Sequence, residues 1–288
     1  MPPPLKIAVT GAAGLFGAGL VRVLNQHHHA VGLTRAQAEI TDSAAVAAAI
    51  AAVKPDVIIH SAAIASPDVC ETQPALATAV NVEGTRNVVR AAEQQGAHVA
   101  LISTDCVFDG HGNKPYVETD PVNPLSFYGR SKVLAEDTVR QLLGHFIFRV
   151  SVLFGRDKPD FVSKGLRALR RGEPYVVASD QYGSATYIDD AATTIRQVIE
   201  AKAFGTFHLS NEGACTREEL ARRAARLAGL DDRGIVAKPL AAMNRPGPRM
   251  LFAVMEHRAL RERGFTLPRA WSQALVEYIA LIQPSITE

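Results

Sequence analysis

The 288-residue chain is 47% hydrophobic and 21% charged, with a formal net charge of +2. That balance fits a globular protein of one large domain, or a domain with a smaller companion, and offers nothing to attract nucleic acid or an anionic membrane. Cys70, Cys106 and Cys215 lie too far apart to suggest a disulfide framework or a zinc site. No apolar run approaches the length of a membrane span and MPPPLK does not read as a signal peptide, so a reducing, cytoplasmic setting is the default expectation.

The elements follow in chain order. LKIAVT (5–10) reads as a buried strand, and GLFGAGLVRVLNQ as a helix with apolar residues at three- and four-residue spacing. AVGLT (30–34), DVIIH (56–60), HVALIST (98–104) and FIFRVS (146–151) are further strands. Between them, 43–53, 75–95 and 126–143 read as helices. Strands alternating with helices predict a Rossmann-type α/β fold, a doubly wound parallel sheet with ligands at the carboxyl ends of its strands. From about residue 156 the rhythm loosens: helix over 160–172, strands at 175–179 and 206–210, then a helix over 216–229 with a Thr cap. A Pro- and Gly-rich loop (238–250) precedes two helical patterns. The expected division is a dinucleotide-binding domain over 1–155, its sheet completed by parts of 174–211. A smaller C-terminal substrate lobe would come from 156–173 and 212–288.

Gly11, Gly14 and Gly17 form G-x-x-G-x-x-G between the first strand and the first helix. Glycines there allow a tight turn and let a pyrophosphate approach the backbone, where the helix start offers free N–H groups. A dinucleotide is the expected ligand, with Leu15 and Phe16 counted among its contacts. The second strand ends in Thr34 and Arg35 with no carboxylate to repel a 2′-phosphate, so NADP is preferred over NAD. A solvated loop arginine would read the same way. Asp42 could reach the adenine edge or simply cap the next helix. Ala62 and Ala63, after the third strand, are small enough to let a cofactor lie against the backbone. Asn81 either hydrogen-bonds across to the strand loops or is exposed.

Thr104 closes the fourth strand on the same edge as Gly11. Tyr128 and Lys132, four apart on a predicted helix, point into a common space. Lys132 would lower the phenol's pKa and hold the nicotinamide ribose hydroxyls, and the phenol could give a proton to a carbonyl oxygen held by Thr104 while nicotinamide gives hydride to carbon. A helix with one half-buried tyrosine and one solvated lysine would carry the same spelling.

Together GAAGLFG, STDCVFDG, PYVETDPVNPLSFYGRSKVLAE and DQYGSATYIDD make the chain resemble an extended short-chain dehydrogenase/reductase. Within that superfamily it is most similar to the dTDP-4-dehydrorhamnose reductase family, from residue 5 to about residue 265. The resemblance implies Thr104, Tyr128 and Lys132 as the catalytic set and Asp105 beside the substrate. The reaction implied is reduction of a 4-keto-6-deoxy sugar on a nucleoside diphosphate. The chain departs from that family's pattern at Cys106, usually tyrosine, and at Val152, usually an aromatic wall of the sugar pocket. It also departs at Ala185, usually proline, and at Arg249, usually serine.

Cys106 and Val152 are therefore expected to line a rebuilt substrate pocket, with Arg245 and Arg249 either gripping a diphosphate or lying on the surface. No metal is expected: the run His27–His29 reads as a solvated helix end. Asp189 and Asp190 read as helix caps. The same resemblance extends to the regulatory beta subunit of methionine adenosyltransferase, a non-catalytic NADP binder, and to sugar-nucleotide epimerases and dehydratases. A homodimer is the assembly it leaves open.

Overall fold

The computed structural model describes residues 3–287; Met1, Pro2 and Glu288, the outermost ends of the expected domains, lie outside the described residues. β1 (Lys6–Thr10) leads through the glycine turn into α1 (Leu15–Leu24), then β2 (His29–Leu33), α2 (Ser43–Val53) and β3 (Val57–His60). A short α3 (Pro67–Thr72) precedes α4 (Pro74–Ala77), a π turn over Thr78–Glu83, and α5 (Gly84–Gln95). β4 (His98–Thr104), α6 (Phe127–Val139) and β5 (His145–Val150) complete the regular alternation. Next come β6 (Val152–Phe154), α7 (Phe161–Arg170), β7 (Tyr175–Ala178), β8 (Tyr182–Gly183), β9 (Ala185–Tyr187), α8 (Ile188–Glu200) and β10 (Gly205–His208). The chain closes with β11 (Cys215–Thr216), α9 (Arg217–Leu227), β12 (Ile235–Lys238), β13 (Phe252–Ala253), α10 (Arg258–Glu262) and α11 (Trp271–Thr287).

Six strands form the main sheet in the order β10-β5-β4-β3-β1-β2, every pairing parallel. Both faces are buried, so each strand alternates between two apolar cores instead of between core and water. Ile7, Val9, Ile59, Phe146 and Phe148 face α1, α8 and Leu260. Ala8, Ile58, Leu101 and Ile147 face α2, α5 and α6. The chain builds β2 on one side of β1 and β3 on the other. That switch point opens a crevice at the carboxyl ends of β1 and β3, where doubly wound sheets take their ligands.

The lobe has its own core around Phe154, Leu166, Tyr187, Leu220 and Tyr278. Its strands are short: β6 with β9, β7 with β12, and β8 between β11 and β13. Of the stretch 174–211, only Gly205–His208 joins the main sheet, while Tyr175–Ala178 pairs with β12 inside the lobe. Val152–Phe154, expected in the first domain, pairs with β9 away from that sheet. Leu260 and Phe265, expected in the lobe, pack into the core of the dinucleotide half. Two- to four-residue strands carry too little period for sequence patterning to resolve, which is why β6, β8, β9 and β11–β13 escape it. Among the described residues, no helix is long and apolar enough to cross a membrane.

Candidate active site

The glycine turn is shaped by close approach of backbones. Gly11 has φ +71°, and a Cβ on it would stand 2.7 Å from the backbone nitrogen of Ala62, so the loops after β1 and β3 touch. A Cβ on Gly17 would collide with the Gly11 carbonyl oxygen. Gly14 is the N-cap of α1; it gives no side-chain cap, and the first turn holds no acidic residue. The first N–H groups of α1 thus face outward beside exposed glycine, with the helix dipole behind them. This cradle fits the pyrophosphate of a dinucleotide. Phe16 contributes only backbone there, because its ring is buried in the sheet core, and Leu15 packs against that core.

At the end of β2, Thr34 is turned inward on its own loop, its hydroxyl donating to Gln37 Oε1 at 2.8 Å. Arg35 is 86% exposed and pairs with Glu39 at 2.5 Å. Asp42 is the N-cap of α2, accepting from the N–H groups of Ala44 and Ala45, so its observed work is capping. Ala63 follows Ala62 on the half-buried loop after β3.

Asn81 is buried rather than exposed, and the π turn in which it sits widens the helix where it reaches inward. Its Oδ1 accepts from the Ile64 N–H at 2.8 Å, and its Nδ2 donates to the Ile64 carbonyl and to Ser131 Oγ at 2.9 Å. The Asn81 carbonyl accepts from Thr85 Oγ1. Beyond it, His60 bridges Thr85 and Thr10 at 3.1 and 2.8 Å. This chain ties the ends of β1 and β3 to α5 and α6. Burial holds His60 neutral, its pKa brought down to about 3. Thr10, His60, Thr85 and Ser131 were not marked by the sequence; a histidine ending a strand was the available signal.

Beside this crevice lies a cavity of about 360 Å³, within the range of small-molecule sites. Thr104, Asp105 and Cys106 reach it from the end of β4, and Tyr128 from α6, whose start is capped by Ser126 accepting from the Gly129 N–H. Thr104 donates to Asp105 Oδ1 at 3.0 Å, and Ser151 donates to Asp105 Oδ2 at 2.5 Å. The carboxylate is thereby fixed under the cavity floor. Val152 and Leu153 bring β6 to the wall, and Gln181, Arg217, Arg249 and Met250 close it from the lobe. Arg217 carries no signal of its own in the sequence, where Thr216 reads as the cap of a helix; the structure adds a capping box between Thr216 and Glu219.

Tyr128 and Lys132 share one buried helix face, but their electrostatics differ from expectation. Burial pushes the Tyr128 phenol above its ordinary value, with Cys106 adding to the rise and Thr104 opposing it. Lys132 does not offset this, since its Nζ donates to the Ile102 carbonyl at 2.7 Å. Desolvation lowers Lys132 to about 8, with Glu136 opposing. Glu136 resists the cost of burial through Arg149 (2.8 Å), Arg140 (2.6 Å) and Ser103 (2.5 Å). One turn beyond Lys132, this network fixes α6 to β4 and β5. Burial, then Asp105, push the Cys106 thiol well up, so it lines the cavity as an inert surface.

Arg245 stands outside the Tyr128 cavity. It is half exposed and 3.6 Å from Asp68, and Arg249 meets the same carboxylate at 3.0 Å. His28, in the expected solvated run, is buried, with its Nδ1 accepting from the Leu5 N–H and its Nε2 3.1 Å from Glu200. Asp189 and Asp190 lie inside the first turn of α8 and pair with Arg22 and Arg269 instead of capping it. Among the described residues, no cluster of ligands suited to a metal is present.

Comparison with known proteins places the chain in a family. The family model described as RmlD substrate binding domain matches residues 5–283. A dTDP-4-dehydrorhamnose reductase of Streptomyces griseus is 35% identical, covering 96% of this chain and 93% of that protein. The spore coat polysaccharide biosynthesis protein SpsK of Bacillus subtilis is 34% identical over 95% of this chain and 96% of its own length. The crystal structure of a Bacillus anthracis dTDP-4-dehydrorhamnose reductase in complex with NADP superposes with a TM-score of 0.92 at 30% identity, covering 96% of this chain and 99% of that one. With sequence and fold in agreement, the chain belongs to the dTDP-4-dehydrorhamnose reductase family of oxidoreductases.

Proposed function

We propose that this protein reduces the ketone of a nucleotide-linked 4-keto-6-deoxy sugar, with NADPH preferred over NADH. The observation that carries this reading is the placement of Thr104 and Tyr128 in one cavity, on the sheet edge that also bears the glycine cradle. Relatives named as reductases of such sugars, and a neighbour whose structure holds NADP, support it. When bound, the nicotinamide supplies hydride to the carbonyl carbon.

The residues of this chain do the rest. A phenol pushed upward by burial stays protonated at neutral pH, which is the state an acid must hold before it protonates a carbonyl oxygen. As negative charge grows on that oxygen, Tyr128 gives up its proton and the Thr104 hydroxyl turns its own from Asp105 to the oxygen, stabilising it by donation. Lys132, one turn away, would lower the cost of the phenolate that remains by swinging its Nζ from the Ile102 carbonyl towards the phenol oxygen. Arg35 is free enough in solvent to leave Glu39 for a 2′-phosphate, a better bidentate partner.

The test mixes protein, NADPH and dTDP-4-keto-6-deoxyhexose and follows loss of reduced-nicotinamide absorbance. Turnover that needs both partners supports the reading. Tight NADPH binding without turnover across a panel of sugar nucleotides would replace it with a non-catalytic dinucleotide-binding subunit. Nicotinamide co-purifying in stoichiometric amount would point to an epimerase or dehydratase cycle.

A further inference from the structure

Three arginines stand near the substrate cavity, and they are not equivalent. Arg245 and Arg249 both face Asp68, and Arg249 also donates to the Gly247 carbonyl at 2.7 Å. Those contacts fasten the Pro-rich loop to α3, with the Gly247 N–H donating to Asp68 Oδ1 at 3.1 Å. Arg217, the first residue of α9, is placed by its backbone, whose N–H donates to the Gln181 carbonyl at 3.1 Å. Among the described residues, no carboxylate comes within 4.0 Å of its guanidinium and no group accepts a hydrogen bond from its side chain.

A guanidinium keeps its charge, so a partly buried one without a counter-ion is a cost to the fold. Asp105 does not relieve it by contact: its two oxygens accept from Thr104 and Ser151, which hold the carboxylate away from the guanidinium. The electrostatics agree: burial lowers the Arg217 pKa and the more distant Asp105 opposes the fall. An anion entering the cavity would meet an arginine that gives up nothing to receive it.

Position tells which anion. Arg217 stands on the wall between the Tyr128 cavity and a second one of about 210 Å³, and Gln181 and Arg249 are common to both. Beyond the shared wall the second cavity is lined by Phe161, Val176, Val177, Leu240 and Met243, with Arg245 as its one further charged residue. A ligand with its reducible end at Tyr128 and a flat, weakly polar end beside Phe161 must carry its linker past Arg217. A diphosphate suits that place, with two negative charges and oxygens spaced for the planar fork.

We infer that Arg217 is the anchor for the diphosphate of a nucleoside diphosphate-linked substrate, with the base seated in the smaller cavity. Arg245, also on the wall of the smaller cavity, is engaged by Asp68 at 3.6 Å and so is less free than Arg217 to take the anion. This deepens the reading above and rests on it.

Calorimetry with dTDP and dTMP on the wild type, Arg217→Met and Arg217→Lys tests the inference, with NADPH titration as the check on folding. Loss of a charge-assisted hydrogen-bonded pair should weaken dTDP by about 10- to 100-fold in Arg217→Met. The preference for dTDP over dTMP should shrink, NADPH affinity should stay unchanged, and Arg217→Lys should recover part of the loss. If Arg217→Met does not fold, the lysine variant still decides, since it keeps charge and stem but loses the fork and should bind dTDP several-fold more weakly. Equal dTDP affinity in wild type and variants overturns the inference and leaves the reductase reading standing. NADPH binding without dTDP binding in the wild type overturns both. Arg217-dependent dTDP binding without ketone reduction supports the anchor and removes the reaction.

Discussion

The two walls of the cleft are made of different material. On the side proposed for the cofactor the distinctive features are backbone: a left-handed Gly11 against Ala62, an uncapped Gly14, and a helix start with no acid in its first turn. On the substrate side they are side chains, delivered singly by β6, the residues before β8, and the first turn of α9. Long parallel strands hold the first wall, while strands of two to four residues hold the second. Backbone sites tolerate almost no change in residue type, because added atoms have nowhere to go. Side-chain sites can be rebuilt one residue at a time while the fold stays put. One half of such a molecule can therefore keep its cofactor chemistry while the other changes what it accepts.

The largest effect should come where the walls meet. Tyr128→Phe keeps the ring and its burial but removes the proton, so kcat should fall about 100- to 10,000-fold while NADPH affinity is unchanged. Single-turnover kinetics and calorimetry check the two halves of that statement. A variant within a few-fold of wild type would remove Tyr128 from the chemistry and turn the cleft into a binding site.

Two glycines sharpen the contrast. Gly17→Ala drives a methyl against the Gly11 carbonyl and the Ala12 Cα, and overpacking of this kind costs about 1–3 kcal/mol. It should also weaken NADPH, because the turn must shift. Gly172, with φ +71° after α7, has nothing within 4 Å of an added Cβ. Gly172→Ala should cost only the backbone strain, about 1 kcal/mol, and leave NADPH affinity alone. Equal loss of NADPH affinity in the two variants would mean that the cradle is no more exacting than a surface turn.

Lys132 tests whether the cleft trades stability for chemistry. Its pKa falls from 10.5 to about 8 on folding, so between those values the unfolded chain holds more protons and raising the pH stabilises the native state. Below that window the charged lysine is a handicap on the order of 3 kcal/mol, offset by about 1 kcal/mol from its hydrogen bond to Ile102. Lys132→Met should therefore gain about 2 kcal/mol at pH 7 in urea titrations while losing turnover. The gain should shrink as pH rises from 8 to 10.5, where the wild type sheds the proton unaided. A variant less stable than wild type at pH 7 would show that Lys132 supports the fold.

The same contrast explains what could be read in the sequence. β1–β5 and their helices were legible because strands buried on both faces are continuous apolar runs, and the glycine turn announces itself by spelling. Tyr128 and Lys132 were legible as a helix pair, but not Lys132's direction: only the fold puts the Ile102 carbonyl within its reach. Asn81 looked like a weak helix former until the π turn and Ile64 accounted for it. Arg217 was hidden because Thr216 reads as the cap of a helix, a sufficient local reason for the stretch. Arg245 drew notice as a basic residue in a flexible-looking loop, and Asp68, 177 positions earlier in the chain by subtraction of the residue numbers, cannot be paired with it from spacing.

The smallest effect should come from Asp68→Asn, and its size is informative. The substitution keeps an oxygen for the Gly247 N–H but removes the charge facing Arg245 and Arg249. Both ion pairs are partly open to water, so the stability loss should stay below about 1 kcal/mol and diminish in high salt. The apparent KM for a sugar nucleotide should move by no more than a few-fold, because the loop arginines hold the strap and Arg217 meets the diphosphate. A fall in KM would mean that a released Arg249, already on the shared wall, adds its fork to the anion. A rise of tenfold or more would place substrate binding on the strap itself, and the substrate side would then depend, like the cofactor side, on where its backbone is held.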